Sequence, residues 1–579
     1  MGSNDEQKKS KAFYYILGLL IVVIAIAIFY IRYPREKTYN FNNNIREELF
    51  IAIDFGNSKT SFAYNFGRNN KIIKGQMRSV PSIIILNKKD LTGKNFGTKS
   101  INSISNYNED EMNNIIYMDN LKIKFYNMSN NDYNIDEYSD KAIIEFLRLF
   151  SDEILKEINS LGQRYIKDEI KWIITAPRIW DDFTKINLIN LAKKAGMNNI
   201  ELALDSEVGA ISVLNDKIIN NKLKTNGKKF LLIDLGDYNI DISLNEIYNN
   251  NIKQLSIPLG CNLGSMNINN DLIKVIENVV GKEILMKAKE NQFDEYLKTL
   301  KGLEDIKIKV KENSSDYFEV YAKFEREKSW KKWIYSNWIS IKSIFKRKKY
   351  FMEIKYENYT INIDDFKIYI PGKLVEEIIL KRVNEVISYI KSYNIYIKNH
   401  DYIILTGGFS NCEILVNEFR KNFKNVFVLS NQENSILEGA LIFLNNKQKI
   451  YSFVSYNTYG IGNFNQNNST EEIKILIKKG DIINSDFYIS KYLDPYPIKS
   501  DFMCINFYKS NNEFISKDNF FGTLEIYLAE YKNINPDKFS LNLIIKFNTY
   551  FQIEVNDSKT NKKINFSFNR KQYPKIYNK

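Results

Sequence analysis

The 579-residue chain is too long for one hydrophobic core, and at 44% hydrophobic and 14% aromatic it is too apolar for wholesale disorder. Its formal charge of +13 is spread as lysines among acids, so charge alone marks no nucleic-acid face. Cys261, Cys412 and Cys504 stand far apart and His400 is the only histidine, which excludes a disulfide framework, a Cys/His metal centre and a histidine relay.

Residues 1–12 read as a polar tail. Phe13 to Ile31 ("FYYILGLLIVVIAIAIFYI") carries no charge and would span ~28 Å as a helix, about one hydrocarbon core. Aromatics flank it, and the apolar run continues past Ala25-Ile-Ala27, so an uncleaved anchor is predicted over a leader peptide. The expectation is a single-pass membrane protein, its folded part cytoplasmic and joined through a tether at 32–47.

Two stretches then match. "FIAIDFG" (Phe50 to Gly56) and "FLLIDLG" (Phe230 to Gly236) are apolar strands ending in Asp-x-Gly, each followed by a further strand-like run. They predict a duplicated hairpin heading each half of a two-lobed unit. Between them, Trp172 to Ile174 reads as a buried strand leading to Pro177 and a helix from about Phe183 to Lys194, with Asp181 and Asp182 at its start and Gly196 as its stop. This is α/β architecture.

"REKSWKKWIYSNWISIKSIFKRKKY" (Arg326 to Tyr350) sets Trp330, Ile334, Trp338, Ile341 and Phe345 on one helical face among lysines. A packed surface helix is the default reading and an interfacial membrane helix its alternative. Further on, "DYIILTGGFSNCEILVNEF" predicts a strand (Tyr402 to Leu405), a Gly407-Gly408 turn and a helix whose start carries a capping-box pattern at Ser410 and Glu413. Alternating, short-turned segments predict a separate antiparallel β unit from Ile450 to Lys579.

Taken as an ordered set, these motifs resemble the actin-like ATPases. "WIITAPRIWDDFTKINLINLAKKAGM", "LALDSEVGAISVL", "ILTGGFSNCEILVNEFRKNF" and "ILEGALIFL" are similar in order and spacing to the heat-shock protein 70 family. "YMDNLKIKFYN", "NTYGIGNF" and "ILIKKGDII" resemble its divergent twelfth subfamily. The similarity covers about Phe50 to Phe568. It implies a two-lobed α/β actin-like ATPase of duplicated ribonuclease-H-like halves at 48–449, with lobe one about 48–227 and lobe two about 228–435. A β-sandwich-like domain at 450–579 would follow, resembling a lidless substrate-binding domain.

The resemblance also implies roles. Asp54 and Asp234 would hold the water shell of Mg²⁺. Gly56, Asn57 and Ser58 would wrap the phosphates of ATP or ADP from one lobe, and Gly236, Asp237, Gly260 and Gly264 would face them from the other. Lys122 (or Lys124) would be the catalytic lysine, Glu207 the carboxylate near the attacking water and Asp241 the acid of the second hairpin. Glu304 and Lys307 would clamp the adenosine above Gly407, Gly408 and Ser410.

Some positions depart from the family pattern. Asp237-Tyr238-Asn239 replaces Gly-Gly-Thr, and Asn57 replaces a threonine. A carboxylate ~4 Å from a polyphosphate, at an effective dielectric near 20, is repelled by about 4 kcal/mol, which either Lys59 of the facing hairpin or a cation bound by Asp237 would offset. The segment between Asn445 and Tyr456 lacks an acidic, leucine-rich linker, and only a short basic tail follows Phe568. The expectation is therefore a membrane-anchored, heat-shock-70-like client-binding protein with impaired ATPase activity. The alternative is an inactive pseudo-ATPase scaffold tethering partners at a membrane. A client would bind the C-terminal β domain, the membrane would be met at 13–31 and, on the alternative reading, at 326–350, and no nucleic acid is expected.

Overall fold

The computed structural model describes residues 47–67, 79–104, 106–130, 137–162, 164–223, 226–322, 352–364, 367–393, 399–463, 472–493, 501–532, 534, 539–547 and 551–569. Among them no helix is long and apolar enough to cross a membrane, which overturns the single-pass membrane assignment. The stretch Phe13 to Ile31 on which that assignment rested lies outside the described residues, as does the basic aromatic segment 326–350. Met266–Val280 buries Ile268, Leu272, Val275, Ile276 and Val279 at helical spacing.

Of the described residues, 48–156 and 165–569 form one compact unit, which carries two sheets of like design. In the first, the order is Ser79–Pro81, Lys59–Phe66, Leu49–Phe55, Ile170–Ala176, Ile200–Leu204. The leading three strands are antiparallel and the last two join in parallel. In the second, Asn251–Gln254, Ile240–Tyr248, Lys229–Leu235, Tyr402–Thr406 and Val426–Val428 repeat that order and those directions. The central strands are almost wholly buried apolar runs, as parallel strands covered on both faces must be.

The repeat extends to the register. Asp54 pairs across its hairpin with Ser61 and stands beside Thr175 of the parallel neighbour. Asp234 pairs with Asp241 and stands beside Thr406. Each half also sends a helix beneath the other, Asp205–Asn215 and Ser435–Asn445. Where they cross, a Cβ at Gly439 would fall 1.8 Å from the Val208 carbonyl oxygen, so only glycine allows so close a passage. Ala440, Leu441, Val208 and Ile436 close a small core around this crossing.

The strand Ile450–Val454, expected to open the separate β unit, instead extends the second lobe's sheet. It runs parallel to Asn251–Gln254 and is followed there by Ile482–Asn484. Its Ile450, Phe453 and Val454 are buried, which is why it behaves as sheet and not as linker. The later strands form two sheets: Glu472–Ile477, Thr458–Asn463, Phe502–Ser510, Phe520–Tyr527, Phe566–Asn569; and Tyr488–Leu493, Leu541–Phe547, Phe551–Asp557. Leu541–Phe547 shows the expected alternate burial. Its inward residues join one continuous core with Phe230, Ile247, Ile252 and Ile404 of the second lobe.

Candidate functional site

Both hairpin tips turn at a glycine that cannot be replaced without a clash. A Cβ at Gly56 would lie 2.1 Å from the Lys59 carbonyl oxygen, and one at Gly236 would lie 2.6 Å from that of Asn239. These turns bring Asp54, Asp234 and Asp241 to one cleft, where they meet Asp205, the first residue of the helix Asp205–Asn215. Lys122 enters from the helix Leu121–Asn130, its Nζ 3.6 Å from Asp205 Oδ2, and is itself buried.

One lysine among four acids leaves the cluster short of positive charge. Burial, followed by the charge of Asp205, pushes Asp54 up to about 6, partly relieved by Lys122 and by a hydrogen bond from Thr175 Oγ1 (3.4 Å). Burial and Asp205 likewise push Asp241 up to about 7. Asp234 is raised well above the carboxylate range by burial and by Asp205, Asp241 and Asp54. The Oδ1 atoms of Asp205 and Asp241 are buried without a hydrogen-bond partner among the described residues. Such a donor set fits a hydrated divalent cation. Among the described residues no three acids stand close enough to ligate an ion directly, so the fit is to its water shell.

Two sequence expectations divide here. Lys122 reaches the cluster, whereas Lys124 turns outward to Asp119, 2.9 Å away. Glu207 was expected beside the attacking water, but the acid in the cleft is Asp205. Two residues along the helix is a rotation of roughly 200°, and Glu207 lies against Arg178 at 3.9 Å. The missed signal was positional: Asp205, like Asp54 and Asp234, is an acid at the end of a buried strand.

On the phosphate side the protein fills much of its own cradle. Asp237 accepts hydrogen bonds from Ser58 Oγ of the first hairpin and from Ser265 Oγ (3.1 Å). These hydroxyls, not Lys59, are its hydrogen-bond partners. The amides of Gly264, Ser265 and Met266, at the start of the helix Met266–Val280, donate to the carbonyls of Tyr238, Gly236 and Asp237. A Cβ at Gly264 would fall 2.3 Å from the Asp237 carbonyl oxygen, and one at Gly260 would fall 2.1 Å from Ile179 Cγ2. Asn57 Nδ2 donates to Asn120 Oδ1 (3.0 Å) and reaches Met266 Sδ at 3.6 Å.

The adenosine side is more open. Glu304 accepts from Lys307 (2.9 Å) and Asn269 (2.7 Å). Burial favours its neutral form, but the Lys307 charge and these hydrogen bonds bring the carboxyl below its ordinary range. Lys307 is buried and also donates to Ser265 Oγ (3.0 Å), linking this side to Asp237. Gly407 has φ +85° and leaves no room for a Cβ, which would fall 2.4 Å from Asp234 Oδ1, whereas Gly408 faces open space. Ser410 does not cap the following helix as expected. Its hydroxyl donates back to the Gly407 carbonyl (2.6 Å) within a short 3-10 turn, and the helix begins at Glu413 without a side-chain cap.

No protein-family model matches the chain. Among curated proteins it is similar to human Heat shock 70 kDa protein 12A, 19% identical over 336 residues, covering 44% of this chain and 50% of that protein. It is 24% identical over 442 residues to the chaperone protein HscA of Buchnera aphidicola, covering 72% of this chain and 75% of that one. The chain thus spans half the length of the human relative, and the relatives are members of the heat-shock-70 family, as the motifs indicate. Among solved structures it is similar to MreB5 of Spiroplasma citri, bound to AMPPNP and bound to ADP. In each case the identity is 14% and the TM-score 0.41, with 69% of this chain covered, and 97% and 98% of those chains respectively.

Proposed function

We propose that this heat-shock-70-like chain binds ATP or ADP with Mg²⁺ in the cleft, turns ATP over weakly, and engages a client or partner protein through its C-terminal β strands. The observation that carries the reading is the buried cluster of four acids, Asp54, Asp205, Asp234 and Asp241, around the single lysine Lys122. A bound Mg²⁺ would neutralise these acids and the phosphates together. Asp54 and Asp234 would orient its water shell. Asp241, whose Oδ1 is buried without a hydrogen-bond partner among the described residues, would accept a proton from water. Lys122 would counter charge developing on the transferred group. For the client surface, the support is the strand Tyr488–Leu493, which lies at the edge of its sheet and exposes Tyr488 and Tyr492 (71%). An edge with exposed aromatics suits strand addition by an extended peptide.

The second reading, a pseudo-ATPase scaffold that performs no catalysis, is favoured by the closure of the phosphate cradle around Asp237. Calorimetry of Mg²⁺-ATP binding separates the two, run on the full chain and on its Asp54→Ala/Asp234→Ala form with single-turnover hydrolysis on the same samples. The expected result is binding with slow hydrolysis, both lost in the double variant. Absence of binding at millimolar ATP would sink the first reading in favour of the scaffold.

A further inference from the structure

Away from the nucleotide cleft, a cavity of about 210 Å³ lies between the helix Asp182–Lys194 of the first lobe and the C-terminal strands. Arg178, Asp182, Lys185, Tyr456, Asn457 and Lys509 are among its walls. A water needs only about 10–15 Å³ of such space, so there is room for one tetrahedral ion with accompanying waters.

The charges around it are unevenly spent. Asp181, also in the wall, accepts the Thr184 amide at 2.7 Å as the helix cap. Lys509 is committed to Asp182, 2.7 Å away, and Asp182 also accepts from Tyr459 Oη at 2.7 Å. Arg178 is 8% exposed. Its Nη1 stands 3.9 Å from Glu207, its guanidinium 5.9 Å from the Tyr456 ring, and its Nε is buried with no hydrogen-bond partner among the described residues. Lys185 is 4% exposed and forms no ion pair among the described residues. Burial, then the nearby Arg178 charge, pushes Lys185 down to about 7, with Lys509 acting in the same direction and Asp182 and Glu207 against it. Two buried cationic side chains with unspent donors at one cavity want an anion.

We propose that this cavity is a binding site for a small oxyanion, a phosphate or phosphate monoester, held by Arg178 and Lys185. The site is separate from the cleft but adjoins it: the Arg178 backbone amide hydrogen-bonds Asp241 while its side chain faces the cavity. The anion restores a full charge to Lys185. Below pH 7 the lysine is largely protonated and binding is little diminished; above pH 7 binding must take up a proton, and affinity falls by up to about tenfold per unit of pH, a slope reduced as Asp241, whose charge also acts on Lys185, ionises.

The probe is sulfate, whose charge does not change across this range, titrated into the full chain at constant ionic strength while the unfolding temperature is followed. The expected result is a saturable rise at low millimolar sulfate that weakens from pH 6.5 to 8.5 and is absent in Lys185→Met, a change that removes an unpaired buried charge. An equal rise in both proteins, or none in either, overturns the proposal. A second reading needs no variant. After reductive ¹³C-methylation, the Lys185 resonance should shift on adding sulfate, with its midpoint at the same concentration; a resonance that does not move also overturns it.

Discussion

Asp237 shows how one residue can change the character of a cleft. In the sequence it is an acid where a phosphate loop wants glycine, and repulsion is all that can be read from it. In the structure it has become the anion of the loop, taking the Ser58 and Ser265 hydroxyls while its own carbonyl and its neighbours occupy the amides at a helix start. An incoming polyphosphate must displace these contacts as well as meet the charge. Asp237→Gly should therefore lower the Kd for Mg²⁺-ATP by at least about tenfold, some 1.4 kcal/mol, measured by calorimetry beside the unaltered chain. Unchanged affinity would mean that Asp237 does not gate the cradle. The strand-end aspartates and turn glycines were legible because turn chemistry is local. The partners of Asp237 were not, since Ser58 lies 179 residues away in sequence.

At the scale of elements, the crossing of helices Asp205–Asn215 and Ser435–Asn445 is where the two lobes meet. A glycine inside a helix ordinarily costs about 1 kcal/mol against alanine, so Gly439→Ala on a free surface would stabilise. Here the added methyl meets the Val208 carbonyl at 1.8 Å. The expectation is a net loss of about 1–3 kcal/mol in denaturant unfolding, from overpacking; a gain would show that the helices can part without cost. Sequence patterning finds such helices but not which face meets which. The same limit explains Ser410 and Glu413. Their spacing matches a capping box, yet Gly407-Gly408 lets the chain close a 3-10 turn first, and the Ser410 hydroxyl is used there.

For the whole molecule, the C-terminal strands meet the first lobe through Phe183, packed on Phe521 and Phe568, and through the buried Asp182. Buried, it binds Lys509 and Tyr459, and Phe551 N at 3.4 Å. Burial would raise its pKa, but the charges of Lys509 and Lys185 override this and hold it below the ordinary value. Because the folded value is depressed, its stabilisation is present above the unfolded pKa near 3.8 and is lost as pH falls through the folded value. Asp182→Asn leaves Lys509 unpaired and should cost about 3–5 kcal/mol, read as a lowered denaturant midpoint at pH 7 with a smaller difference in acid. Equal midpoints would show that the pair contributes nothing to docking.

The sequence by itself determined the matched hairpins, the strand-end acids, the turn glycines and the kinship with heat-shock-70 proteins, because each is written in residues close together along the chain. Tertiary structure decided which acids share a cleft, that Asp205 and not Glu207 joins them, and that Asp237 answers to Ser58. It also decided that Ile450–Val454 belongs to the second lobe's sheet. Those outcomes depend on burial and on contacts between segments far apart in sequence, where desolvation and mutual charge act only after the chain has closed on itself.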